Sequence, residues 1–209
     1  MSTTPHTPAM RIKSHWFKPG AAKTPADHAS AMAFIVWRVT QNMVKEMREA
    51  KFDIDVGPQY FAFMREVLAF LVLVVDRMVF ERMTAEQRAD FLGALVRREA
   101  EILEESELEW LGEPPAGQDT WRNQFIDLCN ELGEAYAEFG AGPEGPDFGF
   151  VRYFGSRVEQ VMPPKDRRWV IDQMMAYEVP EALEMVKRGL EGVLSTEKRP
   201  ARRAALSGD

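Results

Sequence analysis

A chain of 209 residues with 45% hydrophobic and 11% aromatic side chains has the material for one packed core, so a disordered chain is excluded. Net charge is −7, and the single cysteine, Cys129, rules out an intramolecular disulfide and a cysteine-rich zinc site; it suits a reducing compartment and is expected to serve packing. Arg11, Lys13, Lys18 and Lys23 meet no acid in residues 1–24, and Lys198, Arg199, Arg202 and Arg203 outweigh Glu197 and Asp209 at the other end. The body between these basic ends is therefore acidic enough to repel a phosphate backbone, and no specific nucleic-acid partner is expected.

The chain opens with MSTTPHTPAMRIKSHWFKPG, which contains no apolar stretch of the kind a secretory signal carries, so the expected address is the cytoplasm. Residues 1–23 read as a basic arm in which Ile12, Trp16 and Phe17 stand among Arg11, Lys13 and Lys18. Apolar anchors beside positive charge suggest that the arm docks on an acidic surface, and across a two-fold axis it would clasp a homodimer. Met10 offers a second start, which would make residues 1–9 dispensable.

The first helix is announced by Thr24 as N-cap, Pro25 at the first helical position and Asp27 in the first turn. Met32, Val36, Val39, Met43 and Met47 then recur at helical spacing opposite Arg38, Gln41, Lys45 and Arg48, which makes the helix amphipathic. His28 lies toward the apolar face and reads as a satisfied first-turn residue, not as a base.

A second helix is expected from about 59 to 83, and it contains the most apolar run, AFLVLVVDRMVFER. The charge-free part, Val67 to Val75, is far short of the ~20 residues that span a bilayer, so no membrane insertion is expected. Angular spacing puts Arg65, Glu66, Asp76 and Arg77 on one narrow face with Ala62, Ala69 and Leu73. This is the pattern of a central helix packed nearly all round, with opposite charges pairing at the two ends of its dry middle. The same four residues are the binding candidates, since charges in so apolar a helix either pair internally or line a groove for a charged group.

Thr84 followed by Gln87 is a capping-box pattern that opens a third helix through Phe91, Leu92, Leu95, Ile102 and Leu103. Its end holds Glu99, Glu101, Glu104, Glu105, Glu107, Glu109 and Glu113 with no base after Arg98, which opposes the helix dipole and requires a basic neighbour; the N-terminal arm is the expected one. A fourth helix from Asp119 or Thr120 carries Trp121, Phe125, Leu128, Leu132, Ala135 and Phe139 in steps of four and three. The segment 140–149 is rich enough in Gly and Pro to be a hinge or a subdomain boundary. Val151, Phe154, Val158 and Val161 form the next helix, and Pro163 and Pro164 end it and start another. Pro180 either kinks that helix or begins the last one, which runs through Leu183, Val186, Leu190 and Val193.

The chain thus reads as all-α, a bundle of six or seven helices around a central hydrophobic helix, with an arm (1–23), a helical domain (24–194) and a disordered basic tail (195–209). No catalytic residues stand out: there is no G-x-S-x-G, no phosphate loop, and no Glu three residues before any of His6, His15 or His28. Neither a metal nor a cofactor is expected, and Glu131, Glu134 and Glu138 read as a solvated face. The expected function is a non-enzymatic protein-interaction module, an adaptor or assembly factor that self-associates. The alternative is a helical protein that binds an apolar or amphipathic ligand, or an enzyme, with a cavity beside the central helix. Met174 and Met175 beside Trp169 and Tyr177 could contribute to a docking groove.

Overall fold

A computed structural model of the protein describes residues 24–142 and 145–195. The arm, with Trp16 and Phe17, and the tail beyond Ser195 lie outside the described residues, so the expected docking of the arm has no structural counterpart here. Among the described residues the chain is all-α: α1 (Pro25–Glu49), α2 (Pro58–Val79), α3 (Ala85–Leu111), α4 (Trp121–Tyr136), α5 (Phe148–Val161), α6 (Pro164–Gln173) and α7 (Val179–Leu194). A five-residue π turn, Met174–Glu178, joins α6 to α7 without a break in helical backbone, so six continuous helices carry seven segments. No helix among these residues is long and apolar enough to cross a membrane.

The helix starts follow their local chemistry. The Thr24 hydroxyl accepts from the Asp27 N–H at 3.2 Å while the Asp27 carboxylate accepts from the Thr24 N–H at 2.9 Å. Thr84 and Gln87 form the same reciprocal box at the start of α3. Each box satisfies two N–H groups that the helix itself leaves without partners. At the end of α1, Lys51 takes the left-handed conformation (φ 72°) normally given to Gly, and the Phe52 and Lys51 N–H groups return to Met47 and Arg48.

α2 is the centre of the bundle. It packs against α1, α3, α4, α5 and α7, and its residues from Phe61 to Val75 are buried except for scattered half-buried ones on the charged face. It ends at Val79, four residues before the expected end, because the N–H groups of Arg82 and Met83 both turn back to the Val79 carbonyl and close the turn that leads to the Thr84 cap. The anticipated apolar set of α1 is buried in full, and α7 comes close enough to α1 that a Cβ at Gly189 would lie 2.7 Å from Ile35 Cγ2. In α4 the core face is turned by one residue from the expected set: Phe125, Cys129, Leu132 and Tyr136 are buried, while Leu128 and Ala135 are half-buried. The rotation brings Tyr136 into an aromatic cluster with Phe70, Phe139, Phe150 and Tyr153, and Phe70 stacks on Phe154 with ring centroids 4.0 Å apart. The segment 140–149 contains a minimal ribbon, Ala141–Gly142 paired with Gly145–Pro146, and the aromatic cluster links the helices on both sides of it.

The π turn answers the problem posed by Pro180. In an α-helix its ring would collide with the Ala176 carbonyl, and it has no N–H to offer that oxygen. Widening the turn by one residue, so that the Val179 N–H reaches the Met174 carbonyl, lets the helix continue with Pro180 in the first turn of α7.

Candidate functional site

The four charged residues of α2 do not pair with each other at the ends of the helix, contrary to the expectation from sequence; each reaches a partner on another helix. Neighbours one position apart on a helix point about 100° away from each other, so Arg65 and Glu66 cannot share a bond while both face partners. Arg65 binds Glu107 of α3 at 2.8 Å, reaches the Gln124 side chain at 3.3 Å and lies 5.0 Å over the Trp121 ring. Glu66 takes a two-pronged bond from Arg157 of α5, at 2.7 and 3.1 Å. Asp76 pairs with Arg88 at 3.3 Å, and Arg77 donates to the Tyr136 carbonyl at 3.1 Å. Arg65, together with the Arg122–Glu104 pair of α4 and α3, supplies the base that the acidic end of α3 required. The four candidates thus tie α2 to α3, α4 and α5, and none of them lines the grooves described below.

The interior holds further acids. Glu99 is fully buried with no hydrogen-bond partner on either oxygen, and burial holds its carboxyl well above the usual range despite the nearby Arg98. Burial also pushes the Cys129 thiol far up, helped by the carboxylates of Glu99 and Glu66, which makes this cysteine a poor nucleophile. Among the described residues no group of three or more His, Cys, Asp and Glu could hold a metal ion, and Glu131, Glu134 and Glu138 are exposed. His28 is half-buried in the first turn of α1. Since a buried carboxyl without partners loses its hydration and gains no bond in return, Glu99→Met is expected to leave stability unchanged or raise it by about 1–3 kcal/mol. Urea unfolding at neutral pH measures this, and a marked loss would reveal a partner for the carboxyl.

A second polar pair sits at the π turn. Glu178 is buried, Gln173 donates to its Oε1 at 2.9 Å, its Oε2 has no hydrogen-bond partner, and Glu46 of α1 is close enough for its charge to act on the carboxyl. Asn42 in turn donates to Glu46 at 2.7 Å. Two acids placed this close in a buried site disfavour being charged together. Burial first, and then the charge of Glu46, push Glu178 up to about 7.

The surface feature with most chemical character lies on the other side of the same turn. α6 and the π turn form a ridge between two open grooves, with Asp172 and Ala176 on the lining of both. One groove, of about 500 Å³, is lined by Lys51, Phe52, Trp169 and Tyr177 and borders Gln173. The other, of about 700 Å³, runs along α5 and is lined by Phe148, Ile171 and Met175 together with Arg152, Arg167 and Arg168. Phe148, Trp169 and Tyr177 are 73%, 58% and 67% exposed, Trp169 and Tyr177 on the first groove and Phe148 on the second. Arg152, Arg167 and Arg168 form no ion pair with the described residues: Arg167 donates to the Met162 and Gln160 carbonyls, Arg152 to Ser156, and Arg168 lies over Trp169.

Sequence reasoning identified Met175, Trp169 and Tyr177 as groove material, and the structure puts them there; Met174 is buried in the core instead. It missed Phe148, Arg152 and Arg168. A local signal was present, since residues 148–169 contain Arg152, Arg157, Lys165, Arg167 and Arg168 against only Glu159 and Asp166, in an otherwise acidic body. Comparison of the chain with protein-family models, with curated proteins and with solved structures gave no match.

Proposed function

We propose that the protein is a non-enzymatic helical interaction module whose partner docks along the ridge formed by α6 and the π turn. The observation that carries this reading is the gathering of Phe148, Trp169 and Tyr177, all exposed, on open grooves with a charged rim. Aromatic rings of this kind supply most of the energy of protein interfaces, and the arginines around them are the other residue type enriched at such sites. Open grooves of this shape suit a segment of another polypeptide, whereas a small ligand is normally enclosed over most of its surface. A cavity that touches Arg65 and Asp76 would have favoured the ligand-binding alternative; these two side chains are instead engaged by Glu107 and Arg88.

Photo-crosslinking amino acids placed at 148, 169 and 177 in the native cell test the proposal. Discrete protein adducts are expected from these positions and not from 80, where Phe80 is equally exposed but lines neither groove. Equal adduct yields at the ridge and at 80 would remove the ridge as a docking face.

A further inference from the structure

We infer that one occupant of the arginine groove is the C-terminal tip of α3 from a second copy of this chain, so that the protein pairs with itself through two reciprocal contacts. The inference rests on the docking-ridge reading above and gives it a partner. The groove asks for a segment that presents apolar side chains and acid together, because Phe148, Ile171 and Met175 lie beside Arg152, Arg167 and Arg168. The tip of α3 has that composition. Its last turn leaves Leu108, Glu109 and Trp110 exposed, and Glu105, Glu109 and Glu113 form no ion pair among the described residues, unlike Glu101, Glu104 and Glu107.

The tip is also held ready. The Trp121 indole donates to the Gly112 carbonyl at 2.8 Å, and Arg65 anchors Glu107 just before the exposed turn, so little ordering remains to be done on docking. The near half of the groove, Arg167 and Arg168, belongs to the same end of the bundle as the tip, while Phe148 and Arg152 lie farther along α5 toward Tyr136. The Arg65–Glu107 bond ties the tip of α3 to the first turns of α2, while Gln59 at the start of α2 donates to the Asp53 carbonyl. Asp53 is bound by Lys165, and its N–H donates to Asp166, both in the first turn of α6. A two-fold axis at this end would therefore let each tip enter the other copy's groove from its Arg167 and Arg168 side, which closes the pair and does not propagate a filament.

The other groove is a poorer match, since it sets Asp166 and Asp172 against Lys51, whereas the arginine groove sets Arg152, Arg167 and Arg168 against Glu159 and Asp172. Electrostatic complementarity of this kind gives specificity and a marked salt dependence.

Sedimentation velocity on the full chain tests the pairing with two swapped variants. One is Glu105→Arg with Glu109→Arg, and the other Arg152→Glu with Arg168→Glu; both sets are exposed side chains outside the buried pairs, and circular dichroism confirms that each variant folds. The wild type is expected to dimerise at low salt and weaken as salt is raised. Each variant alone should dimerise at least about tenfold more weakly, because like charges then face each other. An equimolar mixture of the two variants should pair again, since every tip then meets a groove of opposite sign. A wild type that stays monomeric at low salt overturns the inference, as do variants that dimerise like the wild type or a mixture that fails to pair. A monomeric wild type that still gives adducts with other proteins at 148 and 169 would leave the interaction module standing and remove only the second copy as its partner.

Discussion

Replacing Arg157 with Met is expected to destabilise the fold by about 3 kcal/mol or more, the largest effect of any single change at the ion pairs of α2. Glu66 is almost wholly buried, and both of its oxygens are bound by Arg157. Without the guanidinium its carboxylate stays in the interior between α2 and α5 uncompensated, or takes up a proton. The double change Glu66→Leu with Arg157→Met removes both charges, and should recover most of the loss, because a well-packed apolar pair often equals a buried ionic one. The contrast is Arg88→Met. Its contact with Asp76 is single and longer at 3.3 Å, and both side chains keep some exposure although the Asp76 Oδ1 itself is buried, so its loss should cost less, on the order of 1–2 kcal/mol. Urea midpoints for the four proteins measure the difference. Equal, small effects for Arg157 and Arg88 would show that the Glu66 site is wet.

The second large effect concerns pH. Glu178 titrates near the ordinary 4.5 when unfolded and near 7 in the folded protein, so the folded state binds its proton more tightly. Its contribution to stability is complete below about 4.5 and is lost as pH rises through 7. At roughly 1.4 kcal/mol per unit, the loss is on the order of 2–3 kcal/mol between pH 5 and pH 8. Glu99 and Glu107, also raised, slope the same way, so the wild type alone does not isolate the π turn. Glu178→Gln does, because it removes the titrating group and keeps the size and polarity of the side chain. The variant should match the wild type near pH 5 and exceed it near pH 8 in thermal melting. Two parallel pH profiles would mean that Glu178 does not change its charge in this range.

These two sites also mark where the sequence stopped being legible. The helices could be read because their signals are local: Thr24 with Asp27, Thr84 with Gln87, and the apolar steps of α1 all lie within a few turns of one another. The centrality of α2 followed from its continuous apolar run. Partners were not legible, because Arg157 lies 91 positions from Glu66 and Glu107 lies 42 from Arg65, and nothing local selects one distant charge over another. The mispairing expected within α2 came from treating a shared face as a shared bond. The docking ridge was half visible. An exposed Phe148 and a buried Phe150 are the same letter two places apart, and only the fold decides which is which.

The five-residue turn between Met174 and Val179 has a consequence for how insertions and deletions would act on this chain. α6 and α7 are one rod whose two stripes of core residues, Val170 and Met174 before the turn and Ala182, Val186 and Leu190 after it, are phased by one additional residue. In a regular α-helix the eight steps from Met174 to Ala182 would carry the stripe about 80° round the axis, whereas seven steps bring it back to within about 20°. The wide turn therefore absorbs one residue. Deleting any one of Met175, Ala176 or Tyr177 would let the backbone close into α-helix with the α7 stripe still against α1 and Gly189 still beside Ile35, and the cost would fall on Pro180, whose ring would then meet the carbonyl four residues before it. A further residue inserted there would instead swing the whole stripe aside. The turn is thus a slack loop already drawn tight, tolerant of loss and intolerant of gain.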